Sequence, residues 1–249
     1  RNPAGQTKGA IFSYSCHSTV LDADNLLYSG DLLGTVAALL EARWGTVLGL
    51  AGAAGNVSTR FTRRASTPDE VERLAGLVAD AVLSTDVQPV PDEALGGKVR
   101  SLTVPLKRSK DTHVLQQTLK RAQARLQNDL PHAEQRIVET EIEGLQLNLG
   151  MRELPPDLTT EMQALRIGGV YVVAFPGELF VEYGVELAEQ LAPMPVLIAG
   201  YANDYIGYVP TPTADDGYEG DSAIVAPGVG STLVQTALTL VESLRERTG

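Results

Sequence analysis

The stretch Asn203-Asp204-Tyr205-Ile206-Gly207-Tyr208-Val209-Pro210-Thr211-Pro212 decides how this chain is read. It follows the apolar run 196–200, so a strand ends there and a loop of turn formers and phenols begins. Two other segments share that grammar. Pro176-Gly177-Glu178 follows the apolar run 170–174, and His17 follows Ala-Ile-Phe-Ser-Tyr-Ser-Cys at 10–16. Strand carboxyl ends gather at one rim of an α/β sheet. An imidazole, a carboxylate and a phenol are thereby placed where a hydrolytic metal site needs them.

Working outward, residues 162–167 and 170–174 form a hairpin around Gly168-Gly169, and 178–191 and 231–244 are helices. A loop rich in glycine and aspartate covers 201–222. Upstream, Leu32, Leu33, Val36, Leu39 and Leu40 recur at helical spacing before Gly45. Residues 46–50 read as a short buried strand that runs into the turn Gly52-Ala53-Ala54-Gly55. Thr67-Pro68-Asp69-Glu70 starts a helix by capping, ring and dipole together. Val71, Leu74, Leu77, Val78, Ala81 and Val82 give that helix one buried face.

Residues 98–106 alternate as a strand. Leu115, Leu119, Ala122, Leu126 and Leu130 make one stripe, which Pro131 interrupts before a second helical stretch. The fold class is therefore α/β: a layered mixed sheet with flanking helices and a helical insertion around 107–157. A single domain over 1–249 is expected, with the insertion packing against it or shaping a pocket mouth.

Composition narrows the partners. Lys plus Arg number 20 against 31 Asp plus Glu, a net charge of -11 that argues against nucleic-acid binding. No apolar run reaches the roughly 18–20 residues that span a bilayer, and no exposed apolar rim is legible. The lone Cys16 rules out an intrachain disulfide and is compatible with a reducing, cytoplasmic compartment, though the location is left open.

Each candidate has two readings. His17 either reaches a metal above the sheet edge or hydrogen-bonds a turn. Glu178 is either a carboxylate ligand or an acid favoured at a helix start, with Glu182 one turn onward as its partner or as a solvated charge. Tyr205 and Tyr208 ligate a metal, donate to an oxyanion, or pack over the sheet end. The turn from Gly52 to Arg60 offers backbone amides, the Ser58 hydroxyl and a guanidinium to a carbonyl or an anion. Its glycines lack the G-x-G-x-x-G spacing, and no Walker loop, H-E-x-x-H or C-x-x-C pattern occurs. His113 and His132 sit among polar neighbours as surface residues.

Taken in order, Cys16-His17-Ser18-Thr19-Val20, Gly55-Asn56-Val57-Ser58-Thr59, Pro176-Gly177-Glu178, Asn203 to Tyr208 and Tyr218-Glu219-Gly220 resemble segments of the neutral/alkaline ceramidase family of zinc amidases. The resemblance implies one zinc ion held by His17, Glu178 and Tyr208. It places Ser58 beside the reacting carbonyl, with Tyr205 helping to stabilise the oxyanion and Asn56 and Arg60 on the substrate. Metal-activated water would then cleave a ceramide-like, N-acyl or peptide-like amide. Ser58 as a covalent nucleophile is the competing route, without an evident His/Asp pair to activate it.

Three departures stand out. Asn56 replaces the family's aspartate. Thr59-Arg60 replaces Pro-Asn, which would favour a substrate carrying a carboxylate or phosphate. The family's His-x-His-Ser-Gly segment, source of another zinc histidine, is absent, as is its C-terminal sandwich domain. The expectation is a ceramidase-like catalytic domain lacking its N-terminal portion, with a companion chain or second copy as the source of the missing half-site. The alternative is a non-catalytic homologue acting as a binding or scaffold subunit.

Overall fold

In the computed structural model, which describes residues 7–86, 88–90, 94–107, 112–150, 154–214 and 218–245, strand β1 (Gly9–Tyr14) lies parallel to β2 (Thr46–Ala51). Parallel neighbours need a crossover, and α1 (Asp31–Trp44) supplies it. Leu32, Val36 and Leu40 of α1 meet Val71, Ala75 and Ala79 of α2 (Pro68–Leu83) over Phe12 and Val47. Only Val47 of β2 is fully buried, and Leu48 is 55% exposed. The buried strand expected at 46–50 is thus a margin strand, whose outward residues are apolar without being core.

The carboxylate of Asp31 accepts the amides of Val20, Leu21 and Leu32 at 3.0, 2.8 and 2.6 Å. That tie pins the segment leaving β1, and His17 with it, to the first turn of α1. Thr67 caps α2 by accepting the Glu70 amide at 3.4 Å. The Glu70 carboxylate in turn accepts the Arg64 amide at 2.8 Å and the Arg73 guanidinium at 2.8 and 2.7 Å. Thr67→Ala is expected to cost about 1 kcal/mol in denaturant unfolding. The Arg73 hydrogen bonds, then the Arg64 amide, hold the Glu70 carboxyl at about 2. Its contribution is present above the usual carboxylate range and is lost as pH falls through that value.

The larger sheet runs β3 (Leu95–Pro105), β4 (Asp157–Ile167), β5 (Val170–Ala174), β7 (Val196–Ala199). β3 pairs antiparallel with β4, and β4 with β5 through the hairpin at Gly168-Gly169. β7 returns parallel to β5 after the crossover helix α5 (Val181–Leu191). Along β4 the buried positions are Thr160, Met162 and Ala164, the period-two face that meets α7 (Val229–Arg245). The Gly200 amide bonds to the Ala51 carbonyl at 2.7 Å and the Ser13 hydroxyl to the Ile198 carbonyl at 2.7 Å, so β7 also meets the β1–β2 pair.

The helical insertion is present as α3 (Thr112–Leu126) and α4 (His132–Gly150). It leaves and returns between paired residues: Pro105 faces Asp157, and the Leu106 amide bonds to the Pro156 carbonyl at 2.9 Å. α4 comes back over the sheet end to α6 (Tyr218–Ser222), where Asn148 donates to the Asp221 carbonyl at 2.7 Å. His113 is exposed and contacts Gln117.

One expectation is corrected. Residues 178–191 are not one helix: Glu178–Leu179 is a short strand, β6, parallel to β8 (Tyr208–Val209), and α5 starts at Val181. The Glu178 amide is consumed by the Gly207 carbonyl at 2.9 Å, so helix-dipole stabilisation does not account for this acid. Large apolar side chains also stand exposed, Leu26 and Phe61 each at 92%. Among the described residues no helix is long and apolar enough to cross a membrane.

Candidate active site

Glu178 sits at the hub of the site, 6% exposed, at the end of the chain that leaves β5. Its register partner in the β6–β8 ladder is Tyr208, so the carboxylate and that phenol stand side by side on neighbouring strands. Tyr201 donates its hydroxyl to Glu178 Oε2 at 2.7 Å, and Tyr205 donates its own to Oε1. The two rings stack with centroids 6.1 Å apart and planes 6° apart. His17 Nε2 lies 3.5 Å from Glu178 Oε2, and its ring meets that of Tyr208 edge-on at 6.2 Å.

The glycine turn after β2 closes the other side. His17 donates its amide to the Val57 carbonyl at 2.8 Å, and Gly55 donates its amide to the Leu179 carbonyl at 2.9 Å. Asn56 accepts the Val181 amide through Oδ1 at 2.9 Å and donates through Nδ2 to Glu182 Oε2 at 2.9 Å. Both ends of that amide therefore hold the start of α5, an arrangement different from the substrate contact expected of Asn56. An aspartate here would face the Glu182 carboxylate without a proton to offer it.

Ser58 Oγ accepts the Arg60 amide at 3.3 Å and caps the 3-10 turn Thr59–Phe61. The Arg60 side chain is exposed and does not line the cavity beside Tyr208. His17, Glu178, Tyr205 and Tyr208 are thus brought together, while Ser58 flanks them on the turn that carries Gly55.

Hydrogen-bond bookkeeping around His17 is informative. The Tyr201 hydroxyl has one proton and two acceptors in reach, Glu178 Oε2 at 2.7 Å and His17 Nδ1 at 3.1 Å. Given to Glu178, it leaves the ring proton of neutral His17 on Nδ1 and a lone pair on Nε2, which faces Glu178 Oε2 at 3.5 Å and the Gly55 carbonyl at 3.3 Å. A cation or a second ring proton relieves that meeting of acceptors. Given to Nδ1, it puts the ring proton on Nε2, facing the same two oxygens.

The phenols answer to the same charge. Burial first, then the hydrogen bond to Glu178, raises both Tyr201 and Tyr205 well above the usual phenol range. Burial, followed by the charge of Glu178, does the same to Tyr208.

Zinc bonded at about 2.0–2.2 Å in a tetrahedron spaces its ligand atoms about 3.4 Å apart, close to the separation of His17 Nε2 and Glu178 Oε2. The donor set therefore fits two ligands, with the Tyr208 phenol alongside. Among the described residues no group of three or more His, Cys, Asp or Glu side chains converges. Sequence reasoning missed Tyr201, which directs the imidazole from the carboxyl end of β7 with φ of 54°. It also missed the Gly55 carbonyl, since backbone oxygens carry no sequence signature.

The mixed α/β fold is that of solved neutral ceramidases, and the resemblance read from the sequence holds. The chain superposes over 99% of its length on neutral ceramidase from Pseudomonas aeruginosa, with a TM-score of 0.68 and 21% identity, covering 45% of that chain. It is equally similar, at a TM-score of 0.68 and 21% identity, to a ceramidase complexed with C2, of which it covers 47%. In sequence it is 34% identical over 93 residues to the neutral ceramidase of Mycobacterium tuberculosis, a match spanning 34% of this chain and 15% of that relative. No family model matches. The chain thus spans under half the length of these solved relatives.

Proposed function

We propose that this chain carries the active site of a zinc-dependent amidohydrolase of ceramidase-like type. The observation that carries the reading is the approach of His17 Nε2 to Glu178 Oε2 at 3.5 Å, near the spacing of two zinc ligands, with the Tyr208 ring beside the imidazole. His17 and Glu178 would hold the ion, with Tyr208 as the third protein ligand. When bound, zinc supplies a hydroxide nucleophile at neutral pH and draws charge from an amide carbonyl.

The chain's own residues do the rest. Tyr201, 3.1 Å from His17 Nδ1, orients the ring so that Nε2 faces Glu178. Tyr205, which donates to Glu178 in this state, is placed to turn its proton toward an oxyanion as the carboxylate becomes engaged. The Ser58 hydroxyl stands on the same turn as Gly55 and assists as a donor. Its contact with the Arg60 amide, rather than an imidazole, favours that role over nucleophilic attack. A remaining ligand position is open to a residue from a longer polypeptide, a companion chain or a second copy.

Metal analysis of the full-length protein tests the reading, which expects near-stoichiometric zinc that disappears in His17→Ala. Protein that folds yet takes up no zinc would instead support a non-catalytic, ligand-binding homologue. Tyr201→Phe is expected to keep the fold and weaken zinc binding about 10–100-fold, as loss of a ligand's orienting partner does. Competition with a chromophoric chelator measures it.

A further inference from the structure

Beside Tyr208, α4 and the start of α6 border an open cavity of about 430 Å³. Its walls include Leu147, Ile224, Tyr205, Tyr208 and Tyr218, and its rim carries Glu143. The volume lies toward the small end of the roughly 300–1,000 Å³ range of ligand cavities, enough for one short chain or ring. Two phenol rings, Tyr208 and Tyr218, meet edge-on there at 5.8 Å and 72°.

Among the described residues Glu143 is the one charged residue that lines the cavity. On α4, Glu141 is already paired with Arg125 at 2.9 Å, whereas Glu143 is exposed and free of ion pairs among the described residues. Glu219 on α6 adds further negative charge, and Glu178 lies behind Tyr205. Lys107, at the foot of the insertion, spends its ammonium on the Gly220 carbonyl at 2.8 Å. Aromatic faces joined to an unpaired carboxylate attract an alkylammonium group and repel a carboxylate.

We propose that this cavity is a subsite for a short alkyl or aryl group ending in a cationic amine, with Glu143 setting the charge preference. As a substrate subsite it rests on the amidohydrolase reading. As a binding site it stands alone. It reverses the expectation, drawn from Arg60, of a substrate bearing a carboxylate or phosphate. The helical insertion then selects the substrate, while the strand ends perform the chemistry.

Calorimetric titration of the full-length protein with phenylbutylamine and with phenylbutyrate is the first arm of the test. The amine is expected to bind about five-fold tighter, the scale of one partly exposed charge pair. Glu143→Gln removes the preference and Glu143→Lys inverts it; the position is exposed, so both variants fold. Leu147→Trp fills the cavity and weakens both ligands without changing zinc content. Equal binding of the two probes, or a preference that survives Glu143→Gln, overturns the proposal.

The second arm compares kcat/KM for aminohexanoyl anilide and hexanoyl anilide. A preference of about five-fold for the amine-bearing amide, lost in Glu143→Gln, is expected. Amine binding without cleavage of either anilide defeats the hydrolase reading and leaves the subsite standing. Cleavage of both without charge preference defeats the subsite and leaves the hydrolase.

Discussion

Glu178→Gln is expected to lower amide hydrolysis by on the order of a thousand-fold and to strip the protein of zinc, because it removes the one buried negative charge at the centre of the cluster. The substitution is close to isosteric. A glutamine carbonyl can still accept one phenol, so thermal unfolding should shift far less than activity does. A second readout separates this loss from simple misfolding. In chelator-treated protein the charge of Glu178 helps raise Tyr201, Tyr205 and Tyr208, so its removal should lower all three phenols in an ultraviolet titration of tyrosinate. They should still titrate above an exposed phenol, since burial is the larger cause in each. Unchanged activity with unchanged phenols would remove Glu178 from the mechanism.

The second large effect is expected from the glycine turn. A Cβ on Gly55 would sit inside the van der Waals envelope of the Glu178 carbonyl and 2.9 Å from the Phe180 ring. Neither can retreat: Glu178 is bonded through its amide to Gly207, and Phe180 is 4% exposed in the core. Gly55→Ala should therefore cost about 1–3 kcal/mol by overpacking. It should also move the carbonyl that faces His17 Nε2, so zinc affinity falls together with stability. Gly76→Ala is the control. It lies inside α2 with open space around the added methyl, and should stabilise by up to about 1 kcal/mol. Equal effects of the two substitutions in chemical denaturation would show that the turn is not tightly packed against Glu178.

The parts of this molecule legible in sequence are those with long local patterns. The helices α1, α2 and α7, the Gly168-Gly169 hairpin and the paired helices of the insertion appear where periodicity and turn residues put them, but the buried face of α2 runs through Val71, Ala75 and Ala79, leaving Leu77 and Ala81 exposed, as Leu39 is on α1. That His17, Glu178 and Tyr208 would be neighbours was legible for a related reason, since the segment carrying each follows an apolar run and strand ends share a rim. What escaped was non-local or too short to repeat. β6 and β8 have two residues each, and their pairing joins segments that no window of sequence sees together. Glu178 therefore looked like the opening of a helix. Leu48 looked like core because an apolar residue on a margin strand carries the same letter as a buried one. The partners of Asn56, Val181 and Glu182, lie in a distant helix and were not legible either.

The junction of the insertion has a consequence for how such proteins diversify. The chain departs from the sheet at Leu106 and re-enters at Pro156, two points already joined by a backbone hydrogen bond. Anything spliced through that doorway, whether a tight turn or another helix pair, leaves the ladder between β3 and β4 in register. Gene fusions that trade this cassette between homologues should therefore yield folded chimeras that inherit the recipient's hydrolytic machinery and the donor's palate.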